Sequence, residues 1–293
     1  MANTNENKLF KVNDFKVVGT LTNAEVTIGN RTTDGAGYVS VDATVSSVID
    51  GKTNEYQIGF FANQLTKEGK PSKLYETYSK MAELIDKKVE ITGEIRENRF
   101  WSKNAGLLVS TQLLSGKWVK GVAATTADEG TFSIGGFVAK SIMEKRNKDE
   151  EIYRYDVTIA QSNYNGDNMS VFTLHIDPND REIVAGVEGY QLGDTVKLIG
   201  KLAFYVETVT VEDKNSGFGA PMTRTFTNKQ RNFYITSGSN PLSDNSAYDQ
   251  TSIANLSNAY KAKDVELMNS AKKEAPAPVV KSAPVSTRQT SLI

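Results

Sequence analysis

Cysteine is absent from the 293 residues, so the chain has no disulfide framework and no thiolate for a metal. Its single histidine, His175, leaves too little imidazole for a histidine-rich metal centre. Asp177 could orient that ring from two positions along a strand, but no nucleophile motif stands near it. A Walker-type phosphate loop is missing, and Gly217-Phe218-Gly219 lacks the strand and helix that a dinucleotide site needs around it. The acidic runs Asp149-Glu150-Glu151 and Glu212-Asp213 fall in expected hairpin loops and read as solvating groups rather than Mg2+ ligands. No cofactor, no metal and no catalysis are expected. Residues Met1 to Lys8 hold no apolar signal core, and no apolar run is long enough to cross a membrane. The expected setting is the cytoplasm, that of the host if the chain is viral.

An excess of charge of one sign is lacking too: 34 Lys and Arg stand against 35 Asp and Glu, a net charge of -1. The balance is uneven along the chain, with 16 cations against 14 anions in residues 1–120 and 12 against 16 in residues 121–240. A polyanion would have to be held by clustered cations and stacking rings rather than by overall charge. The first half is the better place for that.

What the chain does have is a repeat. Val89-Glu90-Ile91-Thr92-Gly93-Glu94-Ile95 is echoed by Val196-Lys197-Leu198-Ile199-Gly200-Lys201-Leu202, and a glycine-bearing strand precedes each copy, through Gly19 and through Gly135-Gly136. In the first half the pattern gives strands over Phe15–Ile28, Gly37–Ile49 and Glu55–Ala62, an amphipathic helix over Lys73–Asp86, and strands over Lys88–Arg96 and Phe100–Leu114. Val39, Val41, Ala43 and Val45 alternate with Tyr38, Ser40, Asp42 and Thr44, so one face of that strand is buried. The second half repeats the order: strands over Phe132–Met143, Tyr153–Gln161 and Met169–Ile176, a short helix over Asp180–Val187, then strands over Thr195–Val206 and Thr223–Thr236. Three strands, a helix and two strands is the order of an OB-fold, a five-stranded Greek-key barrel. The expected fold class is therefore all-β with a minor helix: two tandem OB-fold-like barrels, over residues 11–118 and 130–240. From 241 to 293 the Ser, Asn, Ala, Lys and Pro content predicts a largely disordered tail with at most a short helix, lined by Ile253, Leu256 and Tyr260, and an apolar tip, Ser291-Leu292-Ile293, suited to docking.

OB-folds hold single strands with rings and cations on one side of the barrel, because every base has a flat face and every phosphate a charge. In the first barrel the candidates are Tyr38 on the polar face of its strand, Phe61 (one of the Phe60-Phe61 pair must point outward), and Arg96, Arg99, Phe100, Trp101 and Lys103, expected at the turn joining strands four and five. In the second they are Arg154, Tyr205, Arg224, Phe226, Lys229 and Arg231, while Tyr153 and Tyr155 share the core face of Val157 and Ile159.

With this strand order, the Gly93 and Gly200 strands and the aromatic-basic segments after them, the chain resembles single-stranded DNA-binding proteins, in particular the two-barrel kind of bacteriophage replication and recombination modules. The resemblance implies a non-enzymatic protein that coats single-stranded DNA during replication, recombination or repair, with replication or recombination proteins as possible tail partners. The chain departs from the bacterial proteins at its end: theirs finish in an acidic run with an apolar tip, whereas Arg288-Gln289-Thr290 precedes Ser291-Leu292-Ile293 here. A structural or assembly protein of a virion or tail, with barrels that bind protein, stays open, as does an RNA-binding module. The residues leave the oligomeric state open as well.

Overall fold

The long β-run after Lys11 forms β1, Val12–Asn30, and its length decides the architecture, because successive stretches of it pair with three other strands. The computed structural model describes residues 10–163, 165–213, 222–243 and 247–273, and of 209–213, 222–224, 272 and 273 the backbone only. β2 (Gly37–Ile49), β3 (Lys52–Asn63), β4 (Lys88–Ser102) and β5 (Leu107–Gly121) close with β1 into a five-stranded barrel in the order β1-β2-β3-β5-β4-β1, with β3 and β5 parallel. β6 (Glu129–Arg146), β7 (Ile152–Ser162), β8 (Met169–Ile176), β9 (Thr195–Ala203) and β12 (Asn232–Gly238) close in the same order, β6-β7-β8-β12-β9-β6, with β8 and β12 parallel. Each ring has the strand order of an OB-fold. Between β9 and β12 the chain leaves the barrel as a two-stranded ribbon, β10 (Val206–Asp213) and β11 (Met222–Lys229).

The repeated glycines have one physical cause. Phe15 pairs with Gly93 and Phe132 with Gly200, so in each barrel the first-strand ring lies over the glycine of the fourth strand. A Cβ at Gly93 would overlap the Ser115 carbonyl oxygen and the Phe15 ring, and one at Gly200 the Tyr234 carbonyl oxygen and the Phe132 ring. Only glycine lets the fifth strand cross this close.

The two barrels share one core. β1 and β6 pair from Val12↔Gly135 to Val18↔Glu129, making a continuous sheet. The rings of Tyr56, Phe204, Phe233 and Phe132 follow one another at 5.3–5.7 Å across the junction, and the Tyr56 hydroxyl donates to the Leu202 carbonyl at 3.0 Å. α1 (Lys73–Ser79), capped by Ser72, and a 3-10 turn over Met81–Leu84 divide the expected helix between them and close the first barrel with Tyr78 and Met81. α2 (Arg181–Glu188) closes the second with Val187.

The strand expected over Thr223–Thr236 is divided between the ribbon strand β11 and the barrel strand β12, and Glu212-Asp213, expected in a loop, end the ribbon strand β10; two further expectations change. The fourth strand runs on through Arg96–Ser102, because the turn comes at residues 103–106, where Gly106 has a positive φ of 64° and donates its amide to the Ser102 carbonyl at 2.8 Å. The second change is α3, Gln250–Lys273, a 24-residue helix where the composition predicted at most a short one. Asp249 accepts the Ser252 amide at its start, and Tyr248 and Leu256 are buried against Phe137 and Ala160 of the second barrel. Tertiary packing, not propensity, holds this helix. The expected docking tip, Ser291-Leu292-Ile293, lies outside the described residues.

Candidate nucleic-acid interface

In the first barrel strict alternation sends Phe60 inward, where it is buried, and Phe61 outward, where it is 55 % exposed. Phe61 stacks on Tyr38 with centroids 5.7 Å apart and planes at 23°. Beside this pair the outer surface of β2, β3 and β5 forms a groove of about 580 Å3, whose lining includes the small and polar Thr44, Gln57, Gly59 and Ser115, the carboxylate Asp42, and the two cations Arg96 and Arg231. Phe61, Arg96 and Arg231, from three separate parts of the sequence, thus meet at one groove, Arg231 being supplied by the second barrel, where its guanidinium lies 5.2 Å from the Phe204 ring. Arg96 also reaches Glu94, at 2.7 Å, and Lys117 reaches the same carboxylate at 2.7 Å. Burial works against the Glu94 charge, but the hydrogen bonds from Lys117 and Arg96 outweigh it and hold the carboxyl below its ordinary range.

The expected turn cluster is divided between two faces of β4. Arg96 and Phe100 are exposed on one side, and Glu97, Arg99 and Trp101 lie less exposed on the other. Arg99 is not open to a ligand as expected: its guanidinium lies 3.6 Å from the centre of the Tyr260 ring and pairs with Asp264, both on α3. Its neighbour Glu97, only 3 % exposed at the side chain, accepts the Tyr260 hydroxyl at 2.6 Å, the Ser110 hydroxyl at 2.7 Å and the Val171 amide at 2.8 Å. Glu97 therefore ties the first barrel, the second barrel and α3 to one carboxylate, a role that no local sequence signal announces. Lys103 is exposed in the hairpin turn.

The corresponding outer face of the second barrel is covered by the chain itself. Asp156, Thr158 and Ser162 of β7 are buried, as is Ala160 between them. Tyr248, whose hydroxyl accepts the Ser162 amide at 2.9 Å, and Leu256 cover one end. Gln112 of the β4–β5 hairpin donates to the Thr173 carbonyl at 2.8 Å. Arg154, expected to face outward toward a ligand, lies 2.8 Å from Asp156 and 5.6 Å from the ring of Tyr153, which is itself exposed rather than in the core.

His175 takes Asp156 as its partner, at 2.9 Å, in place of the expected Asp177. Burial, reinforced by the Arg154 charge, lowers its pKa against the opposing pull of Asp156. The unfolded chain, with an ordinary histidine pKa of about 6.5, then takes up the proton first. This contribution to stability is whole above about pH 6.5 and is lost as pH falls below it toward the folded-state pKa. Thermal midpoints measured between pH 7.5 and 5 are expected to fall more in the wild type than in His175→Gln; equal slopes would contradict the assignment.

Of the remaining candidates, Tyr205 is half-buried with the Lys52 ammonium 4.2 Å from its ring centre. Phe226 and Lys229 are exposed on the β10–β11 ribbon. The Arg224 side chain lies outside the described residues.

A family model described as YorF matches residues 11–273, a span that takes in both barrels and all of α3. No curated protein matches the sequence. Among solved structures, the chain is similar to the wild-type single-stranded DNA binding protein from Thermus aquaticus, with 12 % identity and a TM-score of 0.49 over 82 % of this chain and 98 % of that one. A deletion mutant of the same Thermus aquaticus protein gives 13 % identity and a TM-score of 0.48 over 80 % and 96 %.

Proposed function

The chain belongs to the YorF family, and for it we propose the role of a non-enzymatic protein that binds and coats single-stranded DNA during replication, recombination or repair. The observation that carries this reading is the open outer face of β2 and β3, where the Tyr38–Phe61 stack lies beside a groove lined in part by Arg96 and Arg231. An exposed ring stack accepts the face of any base, and the guanidinium groups of Arg96 and Arg231 in the groove lining can neutralise the backbone, which is the pairing that single strands require and duplexes, with their bases stacked inside, cannot use. The groove belongs to the first barrel. The second contributes Arg231 and a rigid support, and its own outer face is taken up by the β4–β5 hairpin and α3.

Fluorescence anisotropy of a labelled thymine 30-mer tests this directly, at two salt concentrations and with duplex DNA and a matching RNA as competitors. The expected result is binding that weakens with salt, with a log–log slope of about -1.4 to -2 for two or three neutralised phosphates, and poor competition by duplex. Equal or better competition by RNA would assign the groove to RNA. No binding at low salt would overturn the reading and leave the barrels as protein-binding or assembly modules.

A further inference from the structure

Trp118 is the most exposed large apolar side chain among the described residues, at 65 %. Strict alternation from the buried Leu114 would send it into the barrel. It faces out because β5 carries one extra residue: Gly93 pairs with Gly116 and Thr92 with Trp118, so Lys117 is bulged. The bulge is fixed from inside, since the buried Tyr78 ring donates its hydroxyl to the Lys117 carbonyl at 2.7 Å. The barrel is thus built to hold an indole outside.

The surroundings say what it fits. Ser115, in the lining of the groove, lies three residues before Trp118 on the same strand, about 10 Å at ~3.3 Å per residue. Arg96, Lys117 and Lys120 stand along this path, and all three share two carboxylates, Glu94 for the first two and Glu90 for the third, each at 2.7 Å. One positive charge is left over, and exposed pairs of this kind are weak enough for a lysine to turn to a phosphate.

We propose that Trp118 is a second base-stacking site, reached by a strand that leaves the groove past Ser115 and crosses the edge of the barrel with its phosphates against Lys117 and Lys120. This rests on the single-strand reading above and extends it to a surface outside the groove. The chain has two tryptophans, so Trp101→Phe leaves Trp118 as the only indole reporter. The thymine 30-mer is expected to quench its emission in step with the rise in anisotropy, and Trp118→Ala is expected to weaken binding by about tenfold or more without lowering the thermal midpoint. If the 30-mer binds by anisotropy while Trp118 emission stays constant and Trp118→Ala binds within twofold of wild type, the second site is wrong and the groove stands. If anisotropy shows no binding at all, both fall.

Discussion

Phe61→Ala is expected to weaken binding of a thymine 30-mer by about 1–3 kcal/mol, roughly five- to 150-fold, with the thermal midpoint unchanged. The argument is one of position. Phe61 projects from β3 beside the groove, and one of its ring faces is engaged by Tyr38. Truncation removes a stacking surface and empties no core. The adjacent Phe60 supplies the contrast, because its buried ring meets Tyr78 edge-on at 5.1 Å. Phe60→Ala should cost about 3–5 kcal/mol of stability. Equal affinity of Phe61→Ala and wild type would remove the ring stack from the site.

The second large effect is expected at Glu97. Glu97→Ala takes the acceptor from the Tyr260 hydroxyl, the Ser110 hydroxyl and the Val171 amide together. Removing one partner from a buried charged network typically costs about 3–5 kcal/mol. At ~2–4 °C per kcal/mol for a chain of this size class, the thermal midpoint should drop by at least about 6 °C. Because Tyr260 is one of the few anchors of α3, trypsin should also cut at Lys261 and Lys263 faster than in the wild type. A midpoint within 1 °C of wild type and unchanged cleavage would show that the hub carries no weight.

These two residues mark where the sequence could be read and where it could not. Phe61 was legible because strand alternation is local: once Phe60 and Phe61 sit in one strand, one of them must face out. Gly93 and Gly200 were legible for a related reason, since the same close crossing of the fifth strand imposes the same residue twice. Glu97 was not legible, because its partners come from 13, 74 and 163 residues away. Arg99 read as a ligand-binding cation from its neighbours Phe100 and Trp101, yet its ring and carboxylate partners come from α3, a helix whose composition gives little sign of docking. Trp118 lies beyond Phe100–Leu114, the last strand that the pattern gives in the first half, and its outward direction was not legible, because a bulge is a property of the pairing of two strands and not of either alone.

The covered face of the second barrel changes how two linked barrels would work. Identical strand order invites the expectation of two equivalent sites with gains from effective concentration. Here the β4–β5 hairpin and α3 occupy the second face, so a strand would be held by the first barrel, with Arg231 as the contribution of the second. The net positive half of the sequence carries the groove, and the net negative half carries the support.

The most direct test is photocrosslinking of the full chain to a thymine 30-mer with 5-iodouracil at several positions, followed by peptide mapping. The account predicts crosslinks on the peptides that contain Tyr38 and Phe61 and none on β7 and β8. Crosslinks concentrated on Arg154 to Ile176, with none on β2 and β3, would contradict it.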